Sequence, residues 1–167
     1  MSWKLRRATE DDLDQIMEIE TGTFANDAWS RDAMLSDLRN PQCYYLVADR
    51  LEFAGELDGY AGLFAPQGAE QGDIQTIAVA ETARRGGLGR TLMQSLIAEA
   101  RERGAGEVLL EVRADNPWPK KLYDSLGFEE IAVRVRYYQP DNVDAIVMRL
   151  TVHQPEPKPL ARPAVGQ

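Results

Sequence analysis

Cysteine and histidine are almost missing from this 167-residue sequence, with one of each, Cys43 and His153. A single cysteine excludes an internal disulfide. Its setting in "QCYYLVA" reads as a buried, inert thiol on a strand. The one histidine lies in a proline-rich tail, so a Ser-His or Cys-His engine, which needs a histidine held by the core, is not expected. No Cys/His cluster exists for a catalytic metal either, and no metal is expected. Long apolar runs are also lacking. Nothing approaches membrane-spanning length, and "MSWKLRRATEDDL" has no apolar stretch of signal-peptide length. A cytoplasmic protein is expected. Bases are scarce beside acids, 19 against 27, for a formal net charge of −8. That argues against direct binding to nucleic acid or a membrane surface, and it suits a basic protein or peptide partner.

What is present fits one domain with one core. "WKLRRA" reads as a first strand. Thr9 opens a helix carrying Leu13, Ile16, Met17 and Glu20, and Ser30 caps a second one that runs towards Asn40-Pro41. "YYLVADR", "EFAGEL" and, after a tight "LDG" turn, "YAGLFA" read as successive antiparallel strands. "GDIQTIAVAE" is a further strand. "LGRTLMQSLIAEARERG" is the clearest helix, with Leu88, Leu92, Leu96 and Ala100 on one stripe and Gly104 as its stop. "EVLLEVRA" is a strand, and "NPWPKKLYDSLGF" a short helix capped by Asn116 and ended by Gly127. "EEIAVRVRYYQ" and "DAIVMRL" close the sheet. Residues 1–150 form the domain. From 151, "TVHQPEPKPLARPAVGQ" holds four of the nine prolines and reads as a flexible tail. The order strand, glycine loop, helix, strand, helix predicts a mixed α/β sheet with a parallel pair at its heart.

The glycine loop, "ARRGGLGRTLM", admits several readings. A Walker loop needs GxxxxGK[ST], which does not occur. A dinucleotide fingerprint, GxGxxG, starts at Gly87 and Gly89 but meets Leu92 where a third small residue belongs. Arg84-x-x-Gly87-x-Gly89 remains, a pattern in which backbone approaches a pyrophosphate and free helix N–H groups donate to it. A plain loop with solvated arginines stays equally open from this stretch alone.

"IQTIAVAETARRGGLGRTLMQSLI" resembles the acetyl-CoA-binding motif of the GNAT superfamily of N-acetyltransferases. "LLEVRADN", "LYDSLGF" and "RYYQPDNVDAIVM" resemble its RimI-type branch, which acetylates the N-terminal alanine of small-subunit ribosomal protein eighteen. The likeness runs from about Leu5 to Leu150. It implies the GNAT fold: a mostly antiparallel sheet whose one parallel pair splays to hold acetyl-CoA, flanked by about four helices.

The resemblance also implies site residues. Arg85, Gly86, Gly87, Leu88, Gly89 and Arg90 take the pyrophosphate of coenzyme A, mostly through backbone N–H groups. Ile77, Ala78 and Val79 pair with the pantetheine arm, and the Val79 N–H points at the thioester carbonyl. Glu111 is the candidate base; read alone, it would be a structural ion pair with Arg113 on the same strand face. Tyr123 is the candidate acid for the departing thiolate; read alone, it is a core aromatic. Asn116 hydrogen-bonds the cofactor arm. Tyr137 and Tyr138 hold the substrate peptide, or are ordinary strand-end tyrosines. "NPWPKK", with Trp118, departs from the branch's usual small residues and leaves the acceptor open. The alternatives are a GNAT that acetylates lysines or small amines, and a non-catalytic coenzyme A-binding module.

Overall fold

A computed structural model of the chain describes residues 2–53 and 55–152. The strands are β1 (Trp3–Arg7), β2 (Cys43–Arg50), β3 (Leu57–Phe64), β4 (Gln71–Val79), β5 (Glu107–Arg113), β6 (Glu129–Tyr138) and β7 (Val143–Thr151). The α-helices are α1 (Leu13–Phe24), α2 (Arg31–Arg39), α3 (Leu88–Glu102) and α4 (Pro117–Ser125). All seven strands form one sheet in the order β1-β2-β3-β4-β5-β7-β6. Only β4 and β5 run parallel. The expected mixed sheet with one parallel pair and four helices is the fold observed.

The two faces of the sheet carry separate cores. One packs Leu88, Leu92, Leu96 and Ala100 of α3 against Leu46, Ala61 and Leu63, with Tyr123 and Phe128 beside them. The other packs Leu13 and Ile16 of α1 and Met34 of α2 against Tyr45, Val47 and Tyr60. The α3 stripe is the helical period seen in the sequence, and each fully buried leucine stabilises the fold by about 1.5–3 kcal/mol. Helix and sheet meet closely at Gly59, where an added Cβ would lie 3.1 Å from Leu88 and 3.4 Å from Leu92. The small residue needed for close packing therefore sits on the strand, and the helix keeps Leu92.

Several local expectations change. "EFAGEL" is not a strand. β2 ends at Arg50, β3 starts at Leu57, and the Arg50 N–H bonds the Glu56 carbonyl across the connection. Gly55 is left-handed at φ 92°, and Leu51 and Phe53 are each 60% exposed, with no face to bury. The "LDG" turn is instead the start of β3. At the other end β7 includes Thr151, and Val152 is buried, its N–H bonding the Gly106 carbonyl at 2.8 Å. The sheet thus takes Thr151, the first residue expected in the tail, Val152 packs just after it, and residues 153–167, His153 among them, lie outside the described residues.

Glu20 is fully buried on α1. Its Oε1 accepts hydrogen bonds from the hydroxyls of Tyr60 on β3 and Thr76 on β4. Burial raises its pKa despite those donors. The apolar spacing in which it was read as one more helical position hides a polar link between helix and sheet.

Candidate active site

β4 and β5 begin as partners and then part. They pair only over Gln71–Asp73 and Glu107–Leu109. Beyond that, β4 stays with β3 and β5 stays with β7. A bulge at Gln75 marks the divergence: Leu63 faces Ile74, yet Gly62 faces Thr76. An extra residue bends and twists the strand that carries it. The Ala80 N–H donates to the Asp58 carbonyl of β3 at 2.7 Å. By the alternation of an antiparallel ladder, Ala78 also points its backbone at β3, while the N–H groups of Ile77 and Val79 point into the gap. The Ile77–Val79 run thus offers alternate residues to a ligand, with Ala78 committed to the sheet.

The loop after β4 is shaped by its neighbours. Arg84 turns back so that its Nε donates to the Val79 carbonyl at 3.1 Å. Arg85 is left-handed at φ 69°, and so is Gly87 at φ 83°, just before α3. Gly86 lies against Trp3, where a Cβ would come within 2.6 Å of the indole ring. The indole is fixed by its Nε1–H bond to Asp58 at 2.7 Å, and buried Asp58 is held in turn by Arg50. The Thr91 N–H to the Gly87 carbonyl is the helix's first such bond. The N–H groups of Leu88, Gly89 and Arg90 therefore precede the helical ladder at the positive end of α3, an arrangement suited to phosphate. Gly89 is not demanded by the fold, since a Cβ there would meet only ordinary contacts. The Arg90 guanidinium donates to the Ser125 hydroxyl at 2.6 Å and so ties α3 to the end of α4. Asn116 occupies the N-cap of α4, but its side chain makes no capping bond, contrary to expectation.

The opposite side of the divergence is a cleft of about 650 Å³, lined among others by Asp27, Trp29, Asp73, Glu111, Arg134, Tyr137 and Tyr138. Glu111 pairs with Arg134 Nε of β6 at 2.9 Å. The expected partner, Arg113, is engaged elsewhere. It holds Asp27 from the α1–α2 connection, Asp115 after β5 at 3.0 Å, and Asp141 from the β6–β7 connection at 3.3 Å. One guanidinium thus fastens three loops around the cleft. Tyr137 and Tyr138 stack edge-on with ring centroids 5.1 Å apart, next to a β6 irregularity where Arg136 is left-handed and its N–H bonds Asp144 at 2.8 Å. The Glu111 charge, then burial, raises the Tyr137 pKa. Burial first, then Glu111, pushes Tyr138 up to about 12.

Tyr123 is 7% exposed on α4, with its ring 6.0 Å from Phe128. Burial, and secondarily Tyr138, raises its pKa well above the ordinary tyrosine range. It is both the core aromatic of the plain reading and a hydroxyl that keeps its proton. Trp118, by contrast, is 70% exposed on α4, with the Lys121 ammonium 5.0 Å from its ring centre. Among the predicted residues, Glu111, Tyr137 and Tyr138 share the cleft, and Ile77, Val79 and the 85–90 loop share the gap and the N-terminal end of α3. Asp27, Trp29, Asp73, Arg113 and Arg134 were not singled out for the site. Only the apolar-strand interruption by Glu111 and Arg113 hinted at them.

Comparison with known proteins agrees with this architecture. Residues 11–128 match the model of the Acetyltransferase (GNAT) family. The chain is 34% identical over 144 residues to the N-alpha-acetyltransferase RimI of Mycobacterium tuberculosis, covering 84% of this chain and 87% of that protein. It is 41% identical over 85 residues to the ribosomal protein bS18-alanine N-acetyltransferase of Escherichia coli, covering 50% of this chain and 57% of that one. The crystal structure of the Escherichia coli ribosomal-protein-alanine N-acetyltransferase superposes with a TM-score of 0.82 at 29% identity, covering 96% of this chain and 100% of that one.

Proposed function

Because the chain belongs to the acetyltransferase (GNAT) family, we propose that it acetylates the α-amine of an N-terminal alanine, with ribosomal protein bS18 as acceptor. Acetyl-CoA is its cosubstrate. The acceptor follows the names of relatives that span most of the chain, the Escherichia coli crystal structure among them. The observation that carries the reading is the sharing of one divergence by two surfaces. Outward N–H groups of β4 lie on the gap side, and Glu111 with two tyrosines lies in the cleft beside it.

Bound acetyl-CoA supplies an activated acetyl thioester. Each other requirement falls to this chain. The N–H groups from Arg85 to Arg90 hold the pyrophosphate, and those of Ile77 and Val79 hold the arm and polarise the thioester carbonyl. A fixed donor aimed at developing negative charge lowers the barrier. Asn116, free of capping duty, donates to the arm. A peptide α-amine has a pKa of roughly 7.7–8.0 and is largely protonated at neutral pH. Glu111 takes that proton, directly or through water, while Arg134 orients its carboxylate. Tyr123, neutral at physiological pH, gives its proton to the thiolate and is the acid. Tyr137 and Tyr138 flank the incoming peptide.

The test is mass spectrometry with isotope-labelled acetyl-CoA. The acceptors are peptides with a free N-terminal alanine, the same peptides blocked at the N-terminus but carrying a lysine, and small amines. Label confined to the free alanine amine is expected. Label on lysines or small amines would move the acceptor to the broader GNAT repertoire, and no transfer at all would favour a binding module.

A further inference from the structure

The cleft is lined by three carboxylates, Asp27, Asp73 and Glu111, and one guanidinium, Arg134. Two of the acids are matched. Arg113 takes Asp27 and Arg134 takes Glu111. Among the described residues Asp73 has no ion pair. Its one hydrogen bond to a side chain comes from the neutral Gln71 amide at 2.9 Å. Asp73 is half-buried on β4, so its charge is screened less than that of a fully exposed group.

Its position is defined by the sheet. Asp73 and Leu109 form the last parallel pair before the strands separate. Glu111 lies two residues further along β5, on the face shared with Leu109 and the cleft. Strand spacing and rise place the Cα atoms of the two residues diagonally, about 8 Å apart across the floor. Two residues of extended peptide span about 7 Å. A peptide whose α-amine reaches Glu111, and whose chain runs along the floor towards the paired ends of β4 and β5, carries its next side chains over Asp73.

We infer that Asp73 is a specificity-determining residue that binds a basic side chain at the second or third position of the acceptor peptide. This inference rests on the proposed N-terminal acetyltransferase activity. An unmatched, partly desolvated carboxylate on the floor of a peptide cleft favours a guanidinium or ammonium and disfavours an acid.

The experiment compares kcat/KM for three peptides that start with alanine and differ only in carrying arginine, glutamine or glutamate at positions two and three. They are assayed with the wild type and with Asp73→Asn, a near-isosteric change. The wild type should prefer the arginine peptide to the glutamine peptide by about tenfold, and the preference should shrink in high salt. Asp73→Asn should bring that ratio close to one, chiefly by lowering kcat/KM for the arginine peptide. An unchanged ratio in the variant, with α-amine labelling intact, overturns the inference alone. An equal loss for all three peptides also overturns it, because Asp73 would then serve the α-ammonium or the fold; a melting curve separates those two. If the wild type labels none of the α-amines, the proposed activity fails and the inference fails with it.

Discussion

Glu111 shows how a residue's role depends on a partner the sequence does not display. Two positions from Arg113 on one strand face, it pairs with Arg134 of another strand instead. Glu111→Gln should lower kcat by about 10²–10⁴ with little change in the KM for acetyl-CoA if Glu111 is the base, because glutamine keeps an oxygen for Arg134 but cannot take a proton. A variant with wild-type turnover would remove Glu111 from the proton path. Tyr123→Phe should reduce kcat in the same range, read in the same assay, if its hydroxyl supplies the proton to sulfur. Glu20 offers a test of stability. Its folded pKa lies above the ordinary 4.5, so its stabilising contribution is complete below about 4.5 and is lost as pH rises through the raised value. Glu20→Gln stays neutral throughout. The melting temperature of the variant minus that of the wild type should therefore increase from pH 4 to pH 7; a constant difference would mean that burial does not govern this carboxyl.

Among elements, those governed by local period were readable from sequence. α3 has its stripe, its glycine entry at Gly87 and its glycine exit at Gly104 written close together in the chain, and β4 and β5 carry the short apolar runs Ile77–Val79 and Val108–Leu110. The segment after β2 misled because Phe53 and Leu57 are good strand residues, whereas the left-handed Gly55 and the lack of a buried face decide the outcome. The bulge at Gln75 left no sequence mark at all, yet it opens the site. The loop before α3 illustrates a demand that comes from far away: Gly86 is required by Trp3, eighty-three positions earlier. Gly86→Ala should push the indole or the loop aside and raise the KM for acetyl-CoA severalfold, while kcat at saturating cofactor changes less. Isothermal titration with coenzyme A checks this directly.

At the scale of the whole molecule the site is a meeting of distant parts, and this explains why it was only half legible. The resemblance to a family nominated Glu111, Tyr123, the glycine loop and the tyrosine pair as candidates. It did not supply the clamp, because Arg113 reaches Asp27 across 86 positions and Asp141 across 28. Such pairings follow from strand order, which no local pattern encodes. Arg113→Leu should release three loops together. The KM for the peptide is expected to rise by about tenfold or more, with faster amide exchange in residues 25–30 and 139–142 and normal protection in α3. Uniform loss of protection would instead make Arg113 a support of the entire fold.

The three tryptophans of the chain fall on three different surfaces. Trp3 backs the glycine loop, Trp29 lines the cleft that also holds Glu111, and Trp118 stands out into solvent on α4. The molecule therefore carries its own optical labels. With Trp118 and Trp29 replaced by phenylalanine, emission from Trp3 would follow nucleotide arrival at the loop. With Trp29 alone retained, emission would follow the peptide. Stopped-flow records of the two variants would then give the order in which the substrates bind.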